Sequence, residues 1–198
     1  MDAGEAKRFG AVILARHGRP ALSRRALLSS SDYKAWWETY ESGGLRPDQI
    51  VPPPLQAMAL DAGAVVASTR PRSLETARAV AGEREFISDA IFVEAPLPPP
   101  RLPGWIKLPP MVWGFLSRVT WWFLDLHLGE ESRRQAEARA AGAADQLIEM
   151  AATGQDVLVL AHGFFNAMIA RALRRRGWRC TVNGGYGYWA ARRFERRV

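Results

Sequence analysis

Four short apolar runs constrain this chain most: AVILA (11–15), AVVA (64–67), AIFV (90–93) and DVLVL (156–160). Each is too short for a buried helix and lacks polar alternation, as in strands covered on both faces. Helix signals lie between them. Ser29 to Asp32 offer caps before YKAWWETYES, and Gly43-Gly44 can stop that helix. Residues 73–81 read as a helix, with Pro71 before it and Gly82 after it. In 131–152, Ala136, Ala140, Ala143, Leu147 and Ala151 fall on one helical face. Residues 164–176 form another helix, and 187–194 a last strand. Strands alternating with helices predict an α/β fold, a three-layer αβα sandwich with a mostly parallel central sheet. At 198 residues, a single domain over 1–198 is expected.

Sites in such sheets form beyond the carboxyl ends of the strands. Arg16-His17-Gly18 follows the first run, Ser68 to Arg72 the second, Glu94 the third and His162-Gly163 the fourth. Two of the chain's three histidines therefore share one edge with arginines and a carboxylate. Independent core histidines would not gather there.

This set suits phosphoryl chemistry. A phosphoryl group in transfer spreads charge over three equatorial oxygens, which guanidinium forks match bidentately. A neutral imidazole can attack phosphorus and become a phosphohistidine. A second, protonated imidazole can bond the same oxygens, and a carboxylic acid can protonate the leaving alcohol. His162-Gly163 opens a helix, whose free N–H groups would add to anion binding. With one cysteine and scattered histidines, no metal-ligand cluster is visible, and no cofactor is expected.

The pattern resembles a known family. RHG after the first strand, Ser68-x-x-x-Arg72-x-x-x-Thr76-Ala77, the glutamate after the third strand, GEES at 129–132 and a late HG after VLVLA are similar to the histidine phosphatase superfamily. This is the phosphoglycerate-mutase-like fold, in its larger branch, and the match spans 11–170. The resemblance implies His17 as the phosphorylated nucleophile, with Arg16 and Arg72 as phosphoryl clamps. It also implies His162 as the second pocket histidine and Glu94 as general acid and base. Gly18, Arg19, Arg70, Gly163 and Asn166 complete the set expected to contact phosphate or substrate. The spacing from Ser68 selects Arg72 over Arg70, which lines the rim. Glu75, in the following helix, is a weaker acid candidate than Glu94.

The expected activity is a metal-independent phosphatase acting on a phosphomonoester or a protein phosphohistidine. Its partner is then a phosphorylated small molecule or phosphoprotein. The alternatives are a phosphoglycerate-mutase-type phosphotransferase and a weakly catalytic phosphate-binding module. The mutases carry a small polar residue and an asparagine after RHG, where this chain reads Arg19-Pro20-Ala21-Leu22. Hydrolysis is therefore the default. After Glu94 the chain continues APLPPPRLPG, where the family has a glycine and an aromatic.

Two segments are unusual. Residues 96–128 form an insert with seven prolines by Pro110 and four tryptophans from Trp105 to Trp122. Its helix at 111–128 is interrupted by Arg118 and Asp125, which argues against a membrane span. A helix packing its aromatic face on the core is the first reading; a substrate lid and an interfacial membrane helix are the others. Residues 171–198 hold nine arginines and one acid, leaving −1 of the net +7 for the rest. This end is read as a solvated helix face and tail. Peripheral contact with anionic membrane is a further expectation; nucleic acid is not expected as a partner. The N-terminal apolar patch, just after Lys7 and Arg8, is too short for a signal peptide. Together with the lone Cys180 it suggests a cytoplasmic location.

Overall fold

The computed structural model describes residues 8–196. Lys7 and the last two positions of the basic end, Arg197 and Val198, lie outside the described residues. Strands β1 (Val12–Arg16), β2 (Ala64–Ser68), β3 (Ile87–Asp89), β4 (Val157–Ala161), β5 (Trp178–Asn183) and β6 (Ala191–Arg196) form one sheet. Its order is β3-β2-β4-β1-β6-β5. The first four strands run parallel, and β6 and β5 join antiparallel to β1. Helices α1 (Ser30–Ser42), α2 (Pro53–Asp61), α3 (Pro71–Ala81), α4 (Pro110–Leu124), α5 (Arg133–Ala151) and α6 (Gly163–Arg175) fill the connections.

The strands are apolar throughout because each face meets helices. Val12, Leu14, Val66, Val157 and Val159 pack with Ala136, Ala140 and Leu147 of α5 and with Phe165 and Ile169 of α6. Ile13, Ala15, Val65, Leu158 and Leu160 pack with Leu55 and Ala59 of α2 and with Ala77 and Val80 of α3. Period-two alternation thus feeds two cores on opposite sides, the three-layer arrangement that the alternating pattern predicts.

The differences from expectation are local. AIFV is not the third strand: pairing with β2 ends at Asp89, and Ala90–Phe92 is a 3₁₀ turn. The Asp89 side chain accepts the N–H of Ile91 at 2.9 Å, so a cap outweighs strand propensity. Helix α2 hides behind its prolines, which occupy its first turn where no N–H is needed. The last strand is later than 187–194, and β5 went unread.

The basic end is not a solvated helix face and tail. Beyond α6 it forms the β5–β6 pair, and its arginines are internally engaged. Arg192 is buried, donating to the Tyr186 hydroxyl at 2.6 Å. Arg193 pairs with Asp156 and Glu195, and Arg176 with Asp145. In the insert, Trp113 and Trp121 of α4 are fully buried. Their indole N–H groups donate to the carbonyls of Leu28 and Glu131. The same helix exposes Met111, Phe115, Phe123 and Leu124. No helix among the described residues is long and apolar enough to cross a membrane.

Candidate active site

Strands β1 and β4 are parallel neighbours in register, with Arg16 opposite Ala161. The next residues, His17 and His162, therefore leave the sheet side by side. Their ring centroids lie 5.2 Å apart at 65°. The His17 N–H also bonds the carbonyl of Ala161 at 2.9 Å, which fixes the two turns together. His17 and His162 are 2% and 1% exposed.

Arg72, in the first turn of α3, reaches both rings. Its Nε–H donates to Nε2 of His17 at 3.2 Å, and its Nη2 lies 3.3 Å from Nδ1 of His162. These contacts assign the tautomers. His17 donates from Nδ1 to the carbonyl of Gly18 at 2.7 Å, leaving its Nε2 lone pair facing Arg72. His162 donates from Nε2 to Ser68 Oγ at 2.9 Å, leaving Nδ1 as the acceptor. Burial first, then the charge of Arg72, holds both histidines well below the ordinary imidazole pKa. The expected protonated second imidazole is therefore neutral in this structure, because four nearby guanidiniums and desolvation disfavour a further cation.

Arg16 stacks over the Tyr188 ring at 4.2 Å and donates from Nη1 to the Tyr186 carbonyl. Its Nε is buried with no hydrogen-bond partner among the described residues. An idle buried donor beside a nucleophile marks a place for an anion. Gly163 leaves room for this side chain; a Cβ there would lie 3.3 Å from Arg16 Cδ. Gly18 presses on Trp189, with a Cβ position only 2.3 Å from its ring, and its N–H donates to Thr76 Oγ1 at 3.0 Å.

Other expected residues fall elsewhere. Glu94 does not bond His17, His162 or Arg72 among the described residues. Its carboxylate accepts the N–H groups of Phe165 at 2.8 Å and Phe164 at 3.4 Å, at the start of α6. A free helix terminus attracts a carboxylate more strongly than an open cleft does. The N–H groups expected to meet the substrate are thus partly taken by Glu94. The loop carrying it is pinned by Arg139, which donates to the carbonyls of Ile91 and Val93 and pairs with Glu131 of the GEES segment. Asn166 serves the fold, donating to the Ala15 carbonyl at 2.9 Å. Arg19 is exposed, its backbone held by Gln49. Glu75 accepts the Leu45 N–H at 2.6 Å and is structural.

Several neighbours were not singled out in the sequence. Glu41, in the last turn of α1, lies 2.6 Å from Arg72 Nη2 and 2.8 Å from Arg70 Nε. Tyr188, on the β5–β6 connection, is 5.7 Å from His17 ring to ring, and its hydroxyl accepts from Arg24 at 3.0 Å. No local spacing links these residues to RHG; they arrive through helix and hairpin packing. A cleft of about 760 Å³ adjoins the pair of histidines through Arg70 and Glu41, and Glu94, Trp37 and Arg139 line it as well. No group of metal-ligating side chains gathers among the described residues.

No family model matches the chain, and no curated protein matches it by sequence. Solved structures do match its fold. The open reading frame Rv3214 from Mycobacterium tuberculosis is 22% identical, with a TM-score of 0.53 over 94% of this chain and 96% of that one. Phosphoglycerate mutase from Bacillus anthracis is 15% identical, with a TM-score of 0.56 over 86% and 82%. A phosphoserine phosphatase mutant from Entamoeba histolytica, in complex with phosphoserine, is 15% identical, with a TM-score of 0.54 over 84% and 80%. The fold is therefore that of the phosphoglycerate-mutase-like histidine phosphatases.

Proposed function

We propose that the protein is a phosphatase working through a phosphohistidine on His17, with a phosphomonoester or a protein phosphohistidine as substrate. The observation that carries this reading is the buried His17–Arg72–His162 contact at the ends of β1 and β4. Its Nε2 lone pair and neutral ring suit His17 to attack phosphorus in line. The bond to the leaving oxygen breaks as the N–P bond forms. Arg16 and Arg72 hold the equatorial oxygens, and His162, braced by Ser68, stands on the same side.

Protonation of the leaving oxygen falls to Glu94, which lines the cleft beside Arg70. A phosphohistidine substrate depends on it less, because its P–N bond needs little acid help. Water then cleaves the N–P bond of the intermediate, returning phosphate and neutral His17. A mutase is less well supported, because Arg19 runs to the surface instead of holding substrate.

The test is hydrolysis of an aryl phosphate in EDTA by wild type, His17→Ala and Glu94→Gln. His17→Ala is expected to lose at least about 10³-fold in kcat. Glu94→Gln is expected to slow an alkyl phosphate more than an aryl one, by roughly 10²-fold. Turnover that survives in His17→Ala overturns the reading.

A further inference from the structure

Arg72 has five N–H donors, and all five are occupied by the protein itself. Nε serves His17, Nη1 serves the carbonyls of Tyr40 and Glu41, and Nη2 serves the Glu41 carboxylate and His162. Arg72 is 1% exposed, and the Glu41 side chain only 12%. Glu41 also touches Arg70, through an ion contact not aligned as a hydrogen bond. A carboxylate that bridges two guanidiniums beside a nucleophilic histidine has the shape and charge of a phosphoryl edge. It holds this position at the carboxyl end of α1, where the helix dipole disfavours an anion and no basic residue in the last turn compensates. The arginines, not the helix, keep it there.

Given the phosphatase reading above, we propose that Glu41 is an internal anion that competes with substrate for Arg72, and so selects dianionic phosphomonoesters over monoanions. A phosphodiester or a carboxylate would replace one negative charge on Arg72 with one negative charge, and gain little. A phosphomonoester dianion brings a second charge and a third oxygen, which can engage the idle Nε of Arg16. Exchange moves the Glu41 side chain toward the adjoining cleft, which it already lines. A contact closed about 90 to 99% of the time lowers apparent affinity for any external anion by about 10- to 100-fold. The second ionisation of a phosphomonoester lies near pH ~6. Selection by Glu41 therefore favours binding above that pH.

The experiment is calorimetric titration of inorganic phosphate and of dimethyl phosphate, a permanent monoanion, into wild type, Glu41→Gln and Glu41→Ala at pH 8. Thermal unfolding checks that each variant is folded. Both variants are expected to bind phosphate at least about tenfold more tightly than wild type, and to gain measurable dimethyl phosphate binding. Equal or weaker phosphate binding in both variants overturns the proposal, as does no phosphate binding in any of the three proteins. Aryl phosphate turnover is scored separately. Turnover through His17 with no affinity change in the variants removes the role of Glu41 and leaves the phosphatase. Tighter phosphate in the variants without turnover supports the internal anion and removes the phosphatase.

Discussion

The Nε–H of Arg72 points at Nε2 of His17 across 3.2 Å, on the lone pair that would attack phosphorus. The clamp and the nucleophile are thus bonded to each other before either meets a phosphoryl group. One guanidinium aligns the ring, lowers its basicity and must yield as the N–P bond forms. Tyr40 and Glu41 hold the other side of that guanidinium, so α1 is part of the site.

Arg72 and Arg70 are therefore unequal. Arg72→Met leaves the Glu41 carboxylate and two buried carbonyls without their donor, and is expected to cost about 3 kcal/mol of stability. Arg70, with a side chain 39% exposed, should cost under about 1 kcal/mol in Arg70→Met. Urea unfolding of both variants measures the contrast; equal losses would contradict the buried network.

Stability should fall on acidification through the histidines. Both pKa values are depressed in the folded chain, so between them and about 6.5 the unfolded chain binds more protons. Their contribution is fully present above pH ~6.5 and is lost as pH drops below it, with a slope of up to about 1.4 kcal/mol per pH unit for each histidine. Urea unfolding from pH 8 to 5 reads this slope. His162→Gln should flatten it; an unchanged slope in that variant would mean that His162 is not buried neutral.

Gly18 has no room for a methyl group. In Gly18→Ala the new Cβ meets the Trp189 ring, which Gln49 holds by an indole N–H bond of 2.9 Å. Overpacking here is expected to cost about 1–3 kcal/mol. The accompanying shift of His17 should lower turnover by more than about tenfold. A variant with wild-type stability and rate would show that Trp189 moves freely.

The two faces of α4 should respond differently. Trp113→Ala empties a fully buried site and is expected to cost about 3–5 kcal/mol. Phe123→Ala, at a position 76% exposed, should stay within about 0.5 kcal/mol. Similar losses at both positions would mean that the outer face is also covered.

The sequence by itself determined the layered α/β fold and the gathering of Arg16, His17, Arg72 and His162. Apolar runs between helical segments require parallel strands, and parallel strands bring their carboxyl ends to one edge. The pairing of β1 with β4 then follows as the way to set RHG beside the late HG. The fates of the carboxylates were decided only by the tertiary structure. Glu94 sits at the expected strand end yet turns to the N–H groups of α6, because an uncapped helix terminus lies within its reach. Glu41 stands 31 residues from Arg72 with no motif around it, and meets it because α1 ends over the histidines. Likewise the arginine-rich end reads as exposed charge, but its arginines join a β pair and find Asp156, Glu195 and Tyr186. Strand and helix signals are local in the chain. Which anion reaches which guanidinium depends on how whole elements pack, and no local spacing encodes that.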